Sequence, residues 1–458
     1  MPEESQSHKL INGNCLIMKK IFLTIALLLV ATSGFCNGPK YIFYFIGDGM
    51  GPSHVLGTEL YLGEVQGTIG RPQKLSFTQF PEVSLVTTYS ASNGVTDSAA
   101  SGTALATGCK TKNGRIGVDA EGNNVYSIAH WAKEHGMAVG IATTVCINHA
   151  TPSAFYAHNV SRNNYSEIAQ WMLVAGYDFY AGGDAKCTDE ERADLYGRAQ
   201  EQGYTIARGY NNYLQVADEA KRMMLYQTSV ATEIPYTIDR NEEDLTLAQI
   251  TAAGIDFLDD KSDKGFFMMI EGGKIDYASH SDDAATMMQE VLDFDAAVQV
   301  ALEFYNEHKE ETLIIVTADH ETGGLVLGYN GYYTLNLKAL ETQNVSIDRL
   351  KEILMAMGTT TWGEIATVVK ENIGVDIDGD QPADNSVEMT ENLAGTIAAK
   401  AIYNINHNAM LSWASGNHSG TFVPLYAIGN GAEAFDGVID NTDIPKIIGQ
   451  VAGIMTAQ

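Results

Sequence analysis

The sequence predicts an α/β protein with a large central, mainly parallel β-sheet that carries helices on both faces. Three observations support this fold class. Short apolar runs such as Tyr41–Ile46 and Thr312–Thr317 have the length and composition of buried strands. Helical patterns, for example Ala284–Glu303, lie between these runs. Polar residues follow the runs directly, as expected where parallel strands end at one edge of a sheet. Strands that alternate with helices form sheets covered on both faces.

The predicted elements alternate along most of the chain. The strands are Tyr41–Ile46, Met137–Thr144, Phe266–Ile270 and Thr312–Thr317, and the clearest helices are Tyr126–His135, Tyr165–Val174 and Ala284–Glu303. Residues 37–458 contain no repeat, low-complexity tract or long linker. Large α/β enzymes often keep one continuous sheet, so we expect residues 37–458 to form a single domain.

An insertion or cap on the sheet is predicted at about residues 328–392. This stretch contains two amphipathic helical patterns, roughly Ser346–Met357 and Thr361–Asn372. Its acidic turn, Asp376–Asp380, is interpreted as a solvated loop, because Gln381 stands where a calcium loop needs its sharp-turn glycine.

The first 36 residues have the pattern of an upstream extension and a secretory signal peptide. Met18–Lys20 is basic, Ile21–Ala31 is a continuous apolar run, and small residues follow it. The run is too short for a comfortable membrane span. We therefore expect a secreted protein, periplasmic or extracellular, that is cleaved near Ser33. Lipid attachment at Cys36 is disfavoured, because bulky Phe35 stands where a small residue is expected.

The charge of the chain restricts its partners. There are 28 basic and 57 acidic side chains, which give a formal net charge of −29. Such a chain repels phosphate backbones, so nucleic acid is excluded as the main partner. An enzyme for anionic substrates then needs strong local positive charge, and bound divalent cations are the obvious source.

The cysteines do not form a disulfide framework. Cys15 and Cys36 belong to the segment that we expect to be removed, and Cys109, Cys146 and Cys187 remain. These three are widely spaced and form no CxxC zinc pattern. The sequence leaves open whether two of these three cysteines form one disulfide.

Acidic and imidazole side chains follow the predicted strands. Asp48 lies in a glycine-rich turn after the first strand, Glu271 follows the third, and Asp319 and His320 follow the fourth. Taken alone, Asp48 is explained as a turn residue, because Asp-Gly pairs form turns. Taken together, these residues indicate a metal site, since aspartate is rarely buried unless it is paired or bound to metal.

Three further residues complete a candidate metal centre. Asp276 and His280 are four residues apart, so one helical turn would place both on the same face, and glycines flank the segment around His418. Mixed nitrogen and oxygen ligands suit zinc, and ligation by oxygen alone suits magnesium. The four carboxylates and three histidines are sufficient for two zinc sites and one harder site. Two metal ions about 4 Å apart can bind both the attacking and the leaving oxygen of a phosphoryl displacement.

A candidate nucleophile lies at the start of a helix of small residues. The segment Thr96–Gly108 places Ser98 at or near the N-cap. One interpretation is a tightly packed helix with an ordinary serine cap. In the other, Ser98 points out of the helix start, where free N–H groups and the helix dipole favour an alkoxide and an anionic phosphate. Zinc would lower the pKa of this serine, so no histidine base is required.

Taken in order, these motifs resemble the alkaline phosphatase family. The matching pieces extend from about Tyr41 to Gly431 and are Gly47–Gly51, Asp97–Ala99, Ala150–Pro152, Glu271, Asp276, His280, Thr317–His320 and His418. The resemblance implies hydrolysis of phosphate monoesters to an alcohol and inorganic phosphate through a phosphoserine intermediate. It also implies two zinc ions, one magnesium ion and a homodimer.

The resemblance implies a role for each matching residue. Ser98 is the expected nucleophile. Arg162 is the expected phosphate-binding arginine, although its residue type alone would favour an ordinary surface position, and a planar guanidinium suits bidentate phosphate recognition. The implied ligands are Asp276, His280 and His418 for the first zinc, Asp48, Asp319 and His320 for the second, and Asp48, Thr151 and Glu271 for magnesium.

Two positions depart from the best-known bacterial pattern of the family. His149 stands where an aspartate lies near the magnesium, and Tyr277 stands where a lysine assists phosphate binding. Residues beside the ligands alter metal preference. The third site is therefore left open between magnesium and zinc.

Other functions would need different residues. A sulfatase of the same superfamily needs a Cys/Ser-x-Pro-x-Arg context, which residues 98–102 lack. The related phosphodiesterases typically use a threonine nucleophile and lack the magnesium ligands that Thr151 and Glu271 supply. A secreted metal-binding protein without catalysis would lack the nucleophile or the arginine, and both are present.

Overall fold

The computed structural model describes residues 38–329, 331–377 and 382–454. The predicted signal segment, residues 1–36, lies outside these ranges, as do residues 378–380 of the predicted acidic loop. From Pro39 onward the described residues form one compact unit. The assignment of residues 37–458 to a single catalytic domain remains a prediction.

The strands are short and mostly buried. In chain order they are β1 Tyr41–Gly47, β2 Glu82–Thr87, β3 Ala138–Cys146, β4 Phe179–Gly183, β5 Tyr204–Arg208, β6 Arg222–Tyr226, β7 Phe266–Gly272, β8 Thr312–Thr317, β9 Glu321–Thr322, β10 Leu325–Leu327, β11 Thr359–Thr361, β12 Ser386–Glu388, β13 Leu411–Trp413, β14 His418–Ser419, β15 Val423–Gly429 and β16 Gly437–Asp440. The four predicted strands are confirmed as β1, β3, β7 and β8, with ends that agree within two residues.

Ten of these strands form the main sheet, in the order β16-β2-β15-β8-β1-β7-β3-β4-β6-β5. β15 runs antiparallel to its neighbours β2 and β8. The other pairs in the sheet are parallel. The prediction of a large, mainly parallel sheet is confirmed.

The α-helices connect and cover the strands. They are α1 Pro52–Val65, α2 Ser98–Thr107, α3 Ile128–Glu134, α4 Ala150–Ser153, α5 Tyr165–Ala175, α6 Asp189–Glu201, α7 Tyr210–Val216, α8 Leu247–Asp259, α9 Lys274–His280, α10 Ala284–Glu307, α11 Ile347–Ala356, α12 Trp362–Ile373, α13 Glu391–Asn408 and α14 Asp443–Val451. Among the described residues, no helix has both the length and the apolar character needed to cross a membrane.

Helices lie on both faces of the sheet, as the alternation in β1 demonstrates. The Phe45 ring packs edge-on against Phe294 of α10, with centroids 5.8 Å apart. Its neighbour Tyr44 points to the opposite face, where its hydroxyl donates to the Leu105 carbonyl of α2 at 3.4 Å. Successive strand residues face opposite sides of a sheet, so α10 and α2 belong to different layers. Burial on both faces explains why β1 is apolar along its whole length.

The predicted insertion contains the two expected helices. α11 begins after Ser346, whose side chain accepts from the Arg349 N–H, and α12 begins after Thr361, whose side chain accepts from the Glu364 N–H. These N-caps fix both helix starts. The short strands β11 and β12 pair antiparallel in the same region.

The three cysteines of the described residues are unpaired. Cys146 is buried at the end of β3, and burial raises the pKa of its thiol to about 12. Cys109 and Cys187 are partly exposed. No disulfide forms among these three residues.

Candidate active site and metal centre

The strand-end residues meet at the carboxyl edge of the sheet. The central strands β8, β1, β7 and β3 lie side by side. Asp48 follows β1 directly, Glu271 lies near the end of β7, and Asp319 comes two residues after β8. Ile46 pairs with Glu271 on one side and with Thr317 on the other, so the three strand ends are level.

The first candidate metal group combines α9 with β14. His280 Nε2 lies 3.3 Å from Asp276 Oδ2 and 3.2 Å from His418 Nε2. His280 Nδ1 faces the Gly416 carbonyl at 2.8 Å, and His418 Nδ1 faces the Thr96 carbonyl at 2.9 Å. When each Nδ1–H donates to its carbonyl, both Nε2 lone pairs face the carboxylate and each other. This is how zinc-binding histidines are oriented.

The second group is fully buried around His320. Its Nε2 lies 3.4 Å from Asp48 Oδ1 and 3.2 Å from Asp319 Oδ2. Potential ligand atoms of Asp48, Asp276 and His320 all lie within 4.8 Å of one another. Asp276 is therefore within reach of both groups.

The third group lies between β1, β7 and β3. Potential ligand atoms of Asp48, His149 and Glu271 fall within 4.8 Å of one another. Thr151 follows on the short helix α4, and its hydroxyl is buried. The Thr143 hydroxyl donates to Glu271 Oε2, which leaves Glu271 Oε1 free to face a ligand.

Buried polar atoms without a hydrogen-bond partner accumulate in this centre. Among the described residues they include Asp48 Oδ1 and Oδ2, Asp319 Oδ2, Glu271 Oε1, Thr151 Oγ1 and His149 Nδ1. Each such atom costs free energy unless a partner compensates it. Most are oxygens of acidic side chains, and a bound cation would satisfy these carboxylate oxygens together. The donor set fits metal ions.

The electrostatics of the centre lead to the same conclusion. With protein groups alone, burial raises the pKa of Glu271 to about 8 and that of Asp319 to about 7. Burial and the neighbouring carboxylates hold the pKa of Asp48 well above its usual range. The hydrogen bond to Asp276 raises the pKa of His280 to about 9. These carboxylates cannot all ionise at neutral pH without added positive charge.

Ser98 is the first residue of α2 and lies beside the second metal group. Asp97 is the N-cap, and its side chain accepts from the Ala100 N–H. Ser98 is nearly fully buried, and its Oγ lies 3.2 Å from His320 Nε2. One turn later, the Ser101 hydroxyl donates to the Asp319 carbonyl at 2.6 Å. The start of α2 is thus fixed against the segment that follows β8.

Arg162 lies next to the start of α2 and is not an isolated surface arginine. Its Nη1 donates to Asp97 Oδ2 at 3.0 Å, and its Nη2 lies 3.1 Å from His149 Nε2. Burial lowers the pKa of His149 to about 3, so this imidazole is neutral and accepts the hydrogen bond. Two partners therefore fix the plane of the guanidinium.

Tyr277 occupies the side of the centre near His149. The two rings meet edge-on, with centroids 5.8 Å apart. The Lys274 ammonium lies 5.5 Å from the Tyr277 ring and donates to Glu233 Oε2 at 2.8 Å. Burial raises the pKa of Tyr277 well above its usual value, so the phenol stays neutral.

The structure thus brings together all twelve site residues predicted from the sequence, and it adds two that were missed. Asp97 joins the helix cap to Arg162. The Thr322 hydroxyl donates to Asp276 Oδ1 and lies 3.2 Å from His320 Nδ1. The cap position of Asp97, just before the helix of small residues, is a signal that sequence could have given. Thr322 carries no comparable signal.

A mainly parallel sheet with imidazole and carboxylate groups together at its carboxyl edge is typical of metal-binding α/β proteins. The family model described as "Alkaline phosphatase" matches residues 39–178 and 178–454. The chain belongs to the alkaline phosphatase family, which confirms the resemblance and the prediction of a phosphatase enzyme. Family membership also supports phosphate monoesters as its substrates.

The relatives and solved structures agree with this assignment. Alkaline phosphatase 4 of Bacillus subtilis is 31% identical over 463 residues, which cover 94% of this chain and 96% of the relative. A cold-active alkaline phosphatase from Shewanella sp. superposes with a TM-score of 0.78 at 30% identity, over 90% of this chain and 99% of that one.

A third comparison bears on metals. A histidine-to-glutamate variant of the alkaline phosphatase from the Antarctic bacterium TAB5, described with Mg bound in its M3 site, superposes with a TM-score of 0.66 at 26% identity. The alignment covers 92% of this chain and 99% of that one. Together with the donor groups above, family membership implies that this chain binds metal ions.

Proposed function

We propose that this protein hydrolyses phosphate monoesters through a covalent phosphoserine formed on Ser98. The observation that carries the proposal is the 3.2 Å distance between Ser98 Oγ and His320 Nε2. This distance places a buried hydroxyl beside a candidate metal group. Ser98 also follows Asp97 directly in the sequence, and the Asp97 side chain accepts a hydrogen bond from Arg162. The N–H groups at the start of α2 favour an anionic phosphate at the same point.

The residues of the centre suit two zinc ions and one harder cation. Asp276, His280 and His418 would hold one zinc, Asp48, Asp319 and His320 the other, and Asp48, Thr151 and Glu271 a magnesium ion or a further zinc, with His149 beside it. When bound, these cations lower the pKa of the serine hydroxyl and of water, and neutralise charge on the attacking and leaving oxygens.

Arg162 and Ser98 have different roles in the proposed reaction. Arg162 binds two phosphoryl oxygens with the N–H groups that Asp97 and His149 do not engage. Ser98 Oγ gives up its proton and forms a bond to phosphorus as the bond from phosphorus to the alcohol oxygen breaks, and the leaving alcohol oxygen takes up a proton. A water oxygen then bonds to phosphorus as the bond from phosphorus to Ser98 Oγ breaks, and a proton from that water restores the Ser98 hydroxyl while inorganic phosphate leaves. Holding serine, phosphorus and arginine in line is itself a large part of the rate enhancement.

Substrate preference tests the reaction class. The purified protein, supplied with Zn²⁺ and Mg²⁺, is assayed on an aryl phosphate monoester and on the matching bis-aryl diester. We expect kcat/KM to be far higher for the monoester. A large preference for the diester would show a phosphodiesterase instead.

Replacement of the nucleophile tests the mechanism. Ser98→Ala should lower turnover by about 10³-fold or more while zinc and phosphate still bind. Ser127→Ala is the matched control, because Ser127 is also a buried serine at a helix start, where it accepts from the His130 N–H at 3.1 Å. That variant should keep its turnover. Equal turnover in Ser98→Ala and the unaltered protein would reject the assigned nucleophile, and absence of both turnover and bound metal in the unaltered protein would favour a different function altogether.

The proposal extends to location and assembly. A signal segment within residues 1–36 would deliver the protein to the periplasm or the exterior, and the family resemblance favours a homodimer. N-terminal sequencing of the exported protein and light scattering of the mature chain test these two points. A retained residue 1 or a monomeric mass would contradict the corresponding point.

A further inference from the structure

His418 reaches the metal centre on a strand of only two residues. β14 pairs with the equally short β9, so that His418 lies opposite Thr322 and Ser419 lies opposite Glu321. The residues on either side of β14, 414–417 and 420, are exposed. A two-residue ladder is weak by itself, so other contacts have to hold this ligand in place.

Glu321 supplies such contacts from a buried position. Its side chain is about 3% exposed. Oε2 accepts from the Ser419 hydroxyl, and Oε1 accepts from the backbone N–H groups of Gly324 at 2.8 Å and Leu325 at 3.3 Å. The stem is held as well, because a Cβ added to Gly51 would lie 2.2 Å from Glu321 Cγ. The carboxylate thus joins β14 to the turn after β9, and the stem of the same side chain lies against Gly51 in the turn that follows Asp48.

We propose that Glu321 is a positioning residue that holds His418 in its metal-binding geometry. This inference rests on the proposed function, in which His418 is a zinc ligand. Hydrogen bonds to a carboxylate are about twice as strong as neutral ones. Consecutive Cα atoms lie about 3.8 Å apart, so an anchor on Ser419 fixes the backbone of His418. Burying a carboxylate costs free energy. The buried carboxylate of Glu321 orders the strand that carries His418.

The other ligands of the same zinc are held by separate contacts. The Ser279 hydroxyl, next to His280, lies 3.1 Å from His54 Nε2 and donates to the Ile275 carbonyl at 2.7 Å. Asp276 accepts from Thr322. His54 Nδ1 also faces Glu321 Oε1, but at 4.0 Å it is beyond hydrogen-bond range. Loss of the Glu321 carboxylate therefore acts first on His418, and the zinc group that contains His418 is the one that should weaken.

Zinc binding to the full chain tests this role without any substrate. Glu321→Ala is compared with the unaltered protein by competition for Zn²⁺ with a chromophoric chelator. We expect one zinc equivalent to bind about 10- to 100-fold more weakly, as for other residues that orient metal ligands, while the second is unchanged. Glu321→Gln should restore binding, because its amide oxygen accepts from the two backbone N–H groups and its amide nitrogen can donate to the Ser419 hydroxyl.

A matched control separates positioning from general destabilisation. Glu59 on α1 is also a buried glutamate, accepting from the Leu75 N–H at 3.2 Å and the Thr78 hydroxyl at 2.5 Å. Glu59→Ala should lower the unfolding temperature without changing zinc affinity. Unchanged zinc affinity in Glu321→Ala, or an equal loss in Glu59→Ala, would overturn the proposal. Zinc binding in an unaltered protein that lacks turnover would instead overturn the proposed function and leave the role of Glu321 standing.

Discussion

The hydroxyl of Ser98 and the imidazole of His320 lie 3.2 Å apart, although 222 residues separate them in the chain. The contact joins the start of a helix on one face of the sheet to the end of a central strand. It depends on the docking of α2, which Ser101 and Asp319 secure one turn further on. Substitutions around this contact should therefore separate effects on catalysis from effects on folding.

Arg162→Ala should weaken transition-state binding. Removing a charged hydrogen-bond donor costs about 1.5 to 3 kcal/mol, which lowers kcat/KM for an aryl phosphate by about 10- to 100-fold. Asp97→Asn should cost less, because asparagine still caps α2 and Arg162 keeps its charge, although the contacts of Oδ2 with Arg162 and with the Gly114 N–H are lost. Arg349→Ala, which removes an exposed arginine from α11, is the control and should not change kcat/KM. An equal effect of Arg162→Ala and Arg349→Ala would show that Arg162 does not bind the phosphoryl group.

His149→Asp should shift the third site toward magnesium. A carboxylate oxygen suits Mg²⁺ better than an imidazole nitrogen does, and it could still pair with Arg162, whose Nη2 lies 3.1 Å from His149 Nε2. The metal content after dialysis against mixed Zn²⁺ and Mg²⁺ should show more Mg²⁺ in the variant than in the unaltered protein. His130→Asp, at a residue of α3 that belongs to none of the three candidate metal groups, serves as the control. The same Mg²⁺ content in all three proteins would contradict the prediction.

The protein stripped of metal by a chelator should lose stability as the pH rises. Burial raises the pKa of Glu271 from 4.5 to about 8 and that of Asp319 from 3.8 to about 7. At these two groups the folded state keeps protons that the unfolded chain releases, so they make stability fall from about pH 4.5 to about pH 8. Buried His149, with its pKa lowered from 6.5 to about 3, opposes this fall below about pH 6.5. Metal should reverse this trend, because it binds the deprotonated ligands.

Thermal unfolding with and without chelator, at intervals from pH 5 to pH 8, measures the effect. Glu271→Gln should flatten the dependence of the stripped protein, since the amide does not titrate. A stripped protein that is more stable at pH 8 than at pH 6.5 would be inconsistent with the buried, cation-requiring centre described above.

Asp293→Ala should destabilise the fold without altering metal binding. Asp293 forms a bidentate ion pair with Arg240, at 2.7 and 3.1 Å, in which both side chains are about nine-tenths buried. Removing one partner of such a pair leaves an uncompensated charge and costs about 3 to 5 kcal/mol. Urea unfolding measures the loss. Asp189→Ala, which breaks a pair whose aspartate is almost fully exposed, should change stability little.

The four predicted strands are buried along their whole length, as Thr312–Thr317 illustrates. Burial did not ensure prediction, because the equally buried strand Phe179–Gly183 was missed, and two of its five residues are glycines. Tyr204–Arg208, at the edge of the sheet, mixes polar and apolar residues and gave no strand signal. The antiparallel strand Val423–Gly429 was also missed, since direction within a sheet depends on partners far away in the chain.

The candidate ligands were predictable because strand ends and a helical turn bring them to one edge of the sheet by local geometry. The contacts that orient them were not. Thr322 and Glu321 are ordinary polar residues in sequence, and their roles arise from β9 meeting β14 about a hundred residues later. Gly49 was visible as part of a turn, but the need for glycine there comes from its φ of +74° and from Asp276, whose Cα would lie 3.0 Å from an added Cβ.

The late position of His418 sets the order in which the centre can be completed. A chain growing on the ribosome holds Asp48 long before it holds His418, which lies near the end of the described residues. Until β14 has been synthesised and has paired with β9, the first candidate metal group has only Asp276 and His280. The residues of the second and third groups are all present once His320 has been synthesised, so the first group is the last to become complete. A chain truncated before residue 418 should therefore bind less metal than the full chain.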